Sequence, residues 1–258
     1  MTIGVLCHTF FGMQALREDK LSYLPLLAAL AAVGFIVFVL VSDFPPTGKA
    51  TASSRESTPL PQSPDTKRTE ALLAGVPQHG AALGDPEAPV TLQFFGDLQC
   101  MDSRRVMLGA LPFLIRHWVR DGKLRIVYRS AETDTHGLPE FRRQQIAALA
   151  AGPQAKMWTF IDLFYREQRP EFTHYADDDF LEGIAEQAGV DLEAWANERD
   201  AEGWASDIEF DETLAEKRDM GSTPSFLIGP TGGRAHVLRH FSFEEPSVFD
   251  EAIEEFLQ

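Results

Sequence analysis

The sequence predicts an α/β domain in which a β-α-β unit and a β-β-α unit flank an all-helical segment. Three observations predict this order. Apolar, β-rich runs occupy 88–96 and 123–130, and a helical pattern lies between them. Residues 138–220 then repeat apolar positions at helical spacing, before two further β-rich runs and a last helix. With 258 residues, of which 44% are hydrophobic, the chain is long enough to bury a core.

The first unit begins with "APVTLQFFG" at 88–96, whose apolar content suits a buried central strand. A helix over 103–122 follows, and we expect Pro112 to kink it and Gly122 to end it. "KLRIVYRS" at 123–130 is the second strand. A strand, a helix and a parallel strand of these lengths form a right-handed β-α-β unit.

The helical segment, about 138–220, carries aromatic residues that we expect to be core residues of a helix rather than a ligand site. These are Trp158, Phe160, Phe164 and Tyr165. After it, "PSFLIG" at 224–229 and "AHVLRHF" at 235–241 predict a hairpin around the turn "PTGG". The sequence "EPSVFDEAIEEFLQ" predicts the final helix.

The N-terminal part of the chain reads as a membrane anchor and a tether. Residues 21–42 are uncharged and apolar enough to cross a bilayer as a helix, and residues 1–20 are a short segment before it, which the resemblance described below places in the cytoplasm. A cleaved signal sequence is the alternative, with Ala50-Thr51-Ala52 as the cleavage site. Residues 43–69, rich in Pro, Ser and Thr, predict a disordered linker, and the folded domain covers 70–258.

The amino-acid composition argues against some classes of binding partner. A net charge of −16 argues against nucleic acid or anionic lipid as the main partner, because both are repelled by an acidic surface. The two cysteines, Cys7 and Cys100, are predicted on opposite sides of the membrane, so no disulfide between them is expected. Neither a metal site nor a cofactor is predicted, and His136, His236 and His240 are expected at the surface or in strands.

Three motifs in this order carry a family resemblance. "LGDPEAPVTLQFFGDLQC" resembles the entry strand G-x-x-x-A-P-V-T-x-x-E-F-x-D-x-x-C-P-x-C, "GPQAKMWTFIDLFYREQ" resembles an A-x-x-Q-x-x-F-W helix, and "GSTPSFLIG" resembles a cis-proline loop. Over about 80–258 the chain resembles the DsbA-like disulfide oxidoreductases, which have a thioredoxin-like fold with a helical insertion. It is most similar to their membrane-tethered bacterial members. The resemblance implies a domain outside the cytoplasm, where an oxidising compartment supports disulfide chemistry.

The candidate site centres on Cys100. A helix that begins just after this residue places its sulfur at a helix N-terminus, where free N–H groups favour a thiolate. Arg104 and Arg105 follow within one turn and are predicted to stabilise the thiolate. The resemblance adds Thr223 and Pro224, whose cis bond is implied to point a backbone edge at the sulfur.

Two positions depart from the family pattern. Ser103 stands where the second cysteine is expected, and a hydroxyl cannot resolve a mixed disulfide, so the isolated chain cannot oxidise or reduce dithiols by itself. Phe94 stands where the family often carries a buried acid, six residues before the nucleophile. Two interpretations stay open for each of two first-turn residues. Ser103 either donates a hydrogen bond to the thiolate or is an ordinary first-turn residue. Asp102 either disfavours the thiolate by charge repulsion or stabilises the start of the helix.

These features predict a tethered protein that uses Cys100 alone for thiol–disulfide exchange and needs an external thiol for release. Its expected partners are extracytoplasmic protein or peptide thiols and disulfides, and a low-molecular-weight thiol. A non-catalytic peptide-binding or chaperone-like domain is the alternative, with a groove around Leu98, Met101 and Pro224. A kappa-type glutathione transferase fits less well, because Ser103 is not at the position of the catalytic serine.

Overall fold

The computed structural model describes residues 63–258. The predicted cytoplasmic segment 1–20, the membrane-spanning segment 21–42 and most of the linker 43–69 lie outside these residues. Within 63–258, no helix is both long enough and apolar enough to span a bilayer.

A six-stranded mixed sheet forms the centre of the described part of the chain. In spatial order, its strands are β1 (Gln78–His79), β2 (Ala82–Leu83), β4 (Leu124–Ser130), β3 (Val90–Gly96), β5 (Ser225–Pro230) and β6 (His236–Val237). The pair β3–β4 is parallel and the other pairs are antiparallel. The predicted β-α-β unit and the predicted hairpin are therefore confirmed.

Helices cover the sheet and form the insertion. They are α1 (Pro64–Leu73), α2 (Met101–Leu108), α3 (Ala110–Leu114), α4 (Leu138–Leu149), α5 (Met157–Glu167), α6 (Asp178–Ala188), α7 (Leu192–Arg199), α8 (Trp204–Lys217) and α9 (Ser247–Glu255). The run from α4 to α8 lies between the β-α-β and β-β-α halves. This arrangement confirms the predicted thioredoxin-like fold with an all-helical insertion.

Helix α1 begins before the predicted start of the folded domain at residue 70. Ser63 caps this helix by accepting a hydrogen bond from the Thr66 backbone N–H at 3.0 Å, and Pro64 occupies its first turn, where a missing N–H is tolerated. The Thr69 hydroxyl donates to the buried carboxylate of Asp162 on α5. Residues 64–69 were predicted as disordered linker, and this prediction is wrong because the helix buries one face against the insertion.

The helix after β3 breaks at Gly109 rather than kinking at Pro112. A Cβ at Gly109 would lie 2.5 Å from the carbonyl oxygen of Phe243, so the close approach of the segment before α9 requires glycine. The Ala110 backbone N–H donates to the same oxygen at 3.0 Å. Pro112 sits in the first turn of α3, where its missing N–H breaks no helical hydrogen bond, and the predicted kink there is wrong.

The edges of the sheet also differ from prediction. The hairpin β1–β2 was not predicted because its strands are too short to show a period. The predicted strand 235–241 shrinks to β6, because the chain leaves the sheet and Phe241 packs edge-on against Phe226 with ring centroids 4.9 Å apart. Because Phe241 packs on the core, strand β6 does not extend to this residue.

The larger core cluster lies on the face of the sheet beneath α2, α5 and α9, and a smaller cluster with Phe95, Leu227 and Ala215 of α8 lies on the other face. Phe94, Tyr128 and Phe226 occupy facing positions on the three central strands. The Phe94 ring stacks on Phe226 with centroids 5.3 Å apart and meets Tyr128 edge-on at 5.5 Å. The predicted core aromatics of α5 are confirmed, because all of them are fully buried: Trp158, Phe160, Phe164 and Tyr165.

Candidate functional site

Cys100 lies at the joint between the central strand and the helix that follows it. It is the N-cap residue of α2, with extended backbone angles (φ −68°, ψ 122°), and only 7% of it is exposed. Its sulfur donates a hydrogen bond to the carbonyl oxygen of Thr223 at 3.5 Å. The Thr223–Pro224 bond is cis, as the resemblance implies. Three of the predicted site residues, Cys100, Thr223 and Pro224, are therefore brought together.

Ser103 lies one turn into α2 and is fully buried. Its hydroxyl oxygen has no hydrogen-bond partner among residues 63–258. The predicted hydrogen bond from Ser103 to the sulfur is thus not formed with the thiol in this conformation. The position fits a small first-turn residue that faces the interior.

The two arginines of α2 direct their hydrogen bonds away from the sulfur. Arg104 donates through Nε to the carbonyl oxygen of Tyr165 at 2.8 Å. Arg105 pairs with Glu244 at 2.8 Å and with Asp102 at 3.1 Å, and these exposed pairs are screened by solvent. Stabilisation of a thiolate by Arg104 and Arg105 stays a prediction, because their hydrogen-bond partners are the Tyr165 carbonyl oxygen and the carboxylates of Asp102 and Glu244.

The three residues predicted to line a substrate groove differ in accessibility: Leu98 and Pro224 are buried, and Met101 is exposed. Leu98 is fully buried in the core, so the prediction that its side chain lines an open groove is wrong. It is buried because the turn between β3 and α2 points this side chain inward. Met101, at 43% exposed, remains accessible beside Cys100.

An acid that the sequence analysis did not single out anchors the loop before Cys100. Asp97 is fully buried, and its carboxylate accepts hydrogen bonds from the backbone N–H of Gln99 at 2.9 Å and from the hydroxyl of Thr133 at 2.7 Å. Burial raises the pKa of Asp97 to about 7, against the lowering effect of these hydrogen bonds. The only signal for it in the sequence is the aspartate of the D-x-x-C pattern.

His136 completes the surroundings of Asp97. Its side chain is buried, its Nε2 lies 3.6 Å from a carboxylate oxygen of Asp97, and its Nδ1 lies 2.6 Å from the hydroxyl of Thr135. Burial lowers the pKa of His136, so the neutral ring is favoured. The expectation that His136 is a surface or strand residue is wrong, whereas His236 lies in β6 and His240 is exposed.

The helical insertion holds the backbone of the same loop. The carbonyl oxygen of Asp97 accepts hydrogen bonds from the Cys100 N–H at 3.1 Å and from the Tyr165 hydroxyl at 3.0 Å. Gln168 donates to the carbonyl oxygens of Leu98 at 2.8 Å and of Cys100 at 3.2 Å. The position of the sulfur therefore depends on α5 and the residue that follows it, besides β3 and α2.

A cavity of about 360 Å³ borders the site at Thr223. Four acidic side chains line it: Glu132, Glu212, Glu216 and Asp219. Within residues 63–258, no group of three or more His, Cys, Asp or Glu side chains is placed to hold a metal ion. The chemistry available at this site is that of one thiol beside a backbone carbonyl.

Comparison with known proteins places this arrangement in a family. The family profile described as thioredoxin matches residues 77–237, which is more than half of the chain. The crystal structure of oxidised BdbD from Bacillus subtilis superposes with a TM-score of 0.58 at 21% identity, covering 70% of this chain and 97% of that one.

Two sequence relatives are matched by this chain over different shares of their length. A probable disulfide bond formation protein D from Bacillus cereus is 23% identical over 155 residues, which are 57% of this chain and 68% of that protein. A Na(+)/H(+) antiporter, NhaA 1 of Salinispora arenicola, is 28% identical over 238 residues, 89% of this chain. The chain spans only 32% of that antiporter's length.

The fold, the placement of Cys100 beside a cis proline and the family match define the class as a thioredoxin-fold protein with a single cysteine at the start of α2. The chain belongs to the thioredoxin family, among its DsbA-like members with a helical insertion.

Proposed function

We propose that this protein carries out thiol–disulfide exchange with Cys100 as its single nucleophile and with an external thiol as the resolving partner. The observation that supports this most directly is the sulfur of Cys100 at the start of α2, 3.5 Å from the Thr223 carbonyl oxygen. A nucleophilic thiol at a helix N-terminus beside a backbone edge is suited to attack a disulfide in an extended peptide.

The exchange balances without a second cysteine in the chain. The Cys100 thiolate attacks one sulfur of a substrate disulfide, the substrate S–S bond breaks, and the other substrate sulfur leaves as a thiolate. An external thiolate, from a low-molecular-weight thiol or a partner protein, then attacks the mixed disulfide. This second step releases the Cys100 thiolate and a new disulfide that contains the external thiol. Ser103 takes no part in bond exchange because oxygen forms no disulfide.

The test uses the full chain with Cys7→Ser, so that Cys100 is the single thiol. On incubation with oxidised glutathione, mass spectrometry is expected to show one glutathione per chain, and added free thiol is expected to remove it. The variant Cys100→Ser in the same background is the matched control and should show no adduct. The proposal fails if the Cys7→Ser protein forms no adduct under conditions in which its thiol reacts with an alkylating reagent.

A second candidate is a peptide-binding domain without covalent chemistry. It is favoured by the burial of Cys100, by Ser103 in place of a second thiol, and by the exposed Met101 next to Cys100 in the chain. Binding of a fluorescent unfolded peptide that is equal for the original chain and for Cys100→Ala, without any mixed disulfide, would favour this candidate over exchange.

We further propose that residues 21–42 tether the domain to a membrane, with residues 1–20 in the cytoplasm and the domain outside. The length and apolar character of 21–42 support this, and residues 43–63 then form the linker to α1. The full chain is expected to stay with membranes after alkaline extraction, and protease added outside spheroplasts should digest the linker. Release of the full chain by alkaline extraction would contradict the tether.

A further inference from the structure

The N-terminus of α2 is capped by a residue of the helical insertion. The Cys100 side chain makes no capping hydrogen bond to the helix. Instead, the backbone N–H of Met101 donates to the carboxylate of Glu171 at 2.8 Å. The first N–H groups of a helix lack partners inside it and carry partial positive charge, so an anion is stabilised there. Glu171 therefore binds one of the N–H groups at the start of α2 that would otherwise stabilise a Cys100 thiolate.

The loop that carries Glu171 is held by contacts on both sides of this residue. Gln168 precedes it and donates to the Cys100 carbonyl oxygen. His174 follows it, and its Nδ1 lies 2.8 Å from the carboxylate of Glu140 at the start of α4. Phe172, next to Glu171, has a left-handed backbone (φ 62°) and is 66% exposed, an arrangement that a non-glycine residue adopts when its surroundings impose it. The fold thus places the Glu171 carboxylate at the site.

The charge of Glu171 opposes that of a thiolate. The Met101 N–H that it binds belongs to the residue directly after Cys100, so the two anions share one helix terminus. Other charged or titratable groups also lie near the sulfur. Around the start of α2 these are Asp97, Asp102, Arg104 and Tyr165. In the cavity beside Thr223 they are Glu132, Glu212, Glu216 and Asp219. Asp102 is paired with Arg105, and Arg104 is bound to the Tyr165 carbonyl. Within residues 63–258, the Glu171 carboxylate is bound only by the neutral N–H of Met101.

We propose that Glu171 is a specificity-determining residue for the exchange at Cys100: its carboxylate at the start of α2 opposes the negative charge of the attacking sulfur until a cationic group of the substrate neutralises that carboxylate. A disulfide flanked by Lys or Arg brings the compensating charge to this terminus, and the acidic lining beside Thr223 favours the same substrates. Disulfides flanked by acidic residues add a further negative charge and are disfavoured. This inference rests on the proposed exchange function, and it identifies the class of substrate as cationic peptide disulfides.

The experiment compares the full chain in the Cys7→Ser background with Glu171→Gln and Glu167→Gln. Gln at 171 keeps an oxygen that accepts the Met101 N–H and removes the charge. Glu167 is the matched control, because it lies four residues earlier and its side chain makes no hydrogen bond or ion pair within residues 63–258. Two rates are measured at pH 7: alkylation by the neutral reagent iodoacetamide, and exchange with three model peptide disulfides flanked by Lys, by Ser or by Glu.

We expect Glu171→Gln to raise the alkylation rate about two- to fivefold, the range expected for one charge at a helix terminus. The rate ratio of the Lys-flanked to the Glu-flanked peptide should fall by a similar factor, and Glu167→Gln should match the parent. Added salt should accelerate alkylation of the parent more than that of Glu171→Gln, because salt screens the Glu171 carboxylate only where it is present, whereas the other acidic groups near the site are common to both proteins. Equal alkylation and equal peptide ratios in the parent and Glu171→Gln, or an equal change in Glu167→Gln, would overturn the inference.

The two proposals fail in different ways. If no peptide forms an adduct in any variant, exchange and the substrate preference that depends on it are overturned. The alkylation rates need no disulfide exchange and still decide whether Glu171 restrains the thiol. If Glu171→Gln alters the melting temperature, the variant no longer serves as a comparison. The salt dependence of the alkylation rate of the parent protein then decides. An alkylation rate that does not change with salt overturns the proposed effect of Glu171 on the sulfur.

Discussion

Asp97 and Thr133 are joined by two hydrogen bonds to one carboxylate oxygen, from the Thr133 backbone N–H at 3.1 Å and from its hydroxyl at 2.7 Å. This contact ties the loop that carries Cys100 to the segment after β4. Because Asp97 is fully buried, its charge has consequences for both the stability and the geometry of the site.

The stability of the protein should depend on pH through Asp97. Its pKa is 3.8 in the reference state and about 7 in the fold, so the folded protein holds this proton where the unfolded chain loses it. The contribution of the protonated carboxyl is fully present below about pH 4 and is lost as the pH rises towards 7. The free energy of unfolding of the parent relative to Asp97→Asn should therefore fall over this window, by a few kcal/mol in order of magnitude.

The measurement is denaturant unfolding of both proteins at several pH values between 4 and 8. Groups common to the two proteins, such as Asp211, whose pKa is also raised by burial, cancel in the difference. A difference that stays constant over this range would show that Asp97 does not hold a proton in the fold.

Replacing Ser103 by Cys should restore a dithiol site. Cys100 is the N-cap residue of α2 and Ser103 is its third helical residue, and an N-cap side chain reaches the third residue of its helix. In the Cys7→Ser background, oxidation of Ser103→Cys should remove both free thiols and about 2 Da of mass, and the variant should release a glutathione adduct without external thiol. Ser103→Ala should keep its adduct. Persistent free thiols in oxidised Ser103→Cys would show that the two positions are too far apart.

Removing the Phe94 side chain should destabilise the fold strongly. The ring is fully buried between Tyr128 and Phe226, so Phe94→Ala loses apolar burial and leaves a cavity, at about 3–5 kcal/mol of unfolding free energy. Phe172→Ala is the control at an exposed position and should change the value by less than about 0.5 kcal/mol. Similar losses in both variants on denaturant unfolding would contradict the central role of the β3–β4–β5 aromatic group.

Gly109→Ala and Gly183→Ala should have opposite effects on stability. At Gly109 a Cβ would meet the backbone oxygens of Phe243 at 2.5 Å and of Arg105 at 2.6 Å, so the backbone must shift at about 1–3 kcal/mol. At Gly183, inside α6, a Cβ has nothing within 4 Å, and alanine is the better helix former by about 1 kcal/mol. Melting temperatures should move down for the first variant and up for the second. A rise for Gly109→Ala would mean that the break between α2 and α3 does not require glycine.

Local patterns were sufficient to predict the order of the elements and a cysteine at the start of a helix, and the family resemblance supplied the thioredoxin-like fold and the role of that cysteine. The apolar runs of β3, β4 and β5 have the content of buried strands, and the helical insertion repeats apolar residues at helical spacing. Cys100 could be placed at the start of a helix because a strand pattern ends just before it and a helical pattern begins just after it. Thr223 and Pro224 came with the resemblance, which the fold then confirmed.

Tertiary structure alone decided the contacts that join residues distant in the chain. Glu171 caps a helix 70 residues earlier in the sequence, and nothing near position 171 indicates that partner. The burial of Asp97, Leu98 and His136 likewise depends on which segments cover the loop after β3. The orientation of Arg104 was set by a carbonyl oxygen at the end of α5.

The sequence by itself therefore determined the order of the elements and the position of the lone thiol, because period, propensity and apolar content act over neighbouring residues. Only the tertiary structure decided the electrostatic surroundings of that thiol. Burial and charge pairing depend on distance in space, and a chain that brings residues 97, 133 and 171 around Cys100 does so through long-range packing that no local pattern encodes.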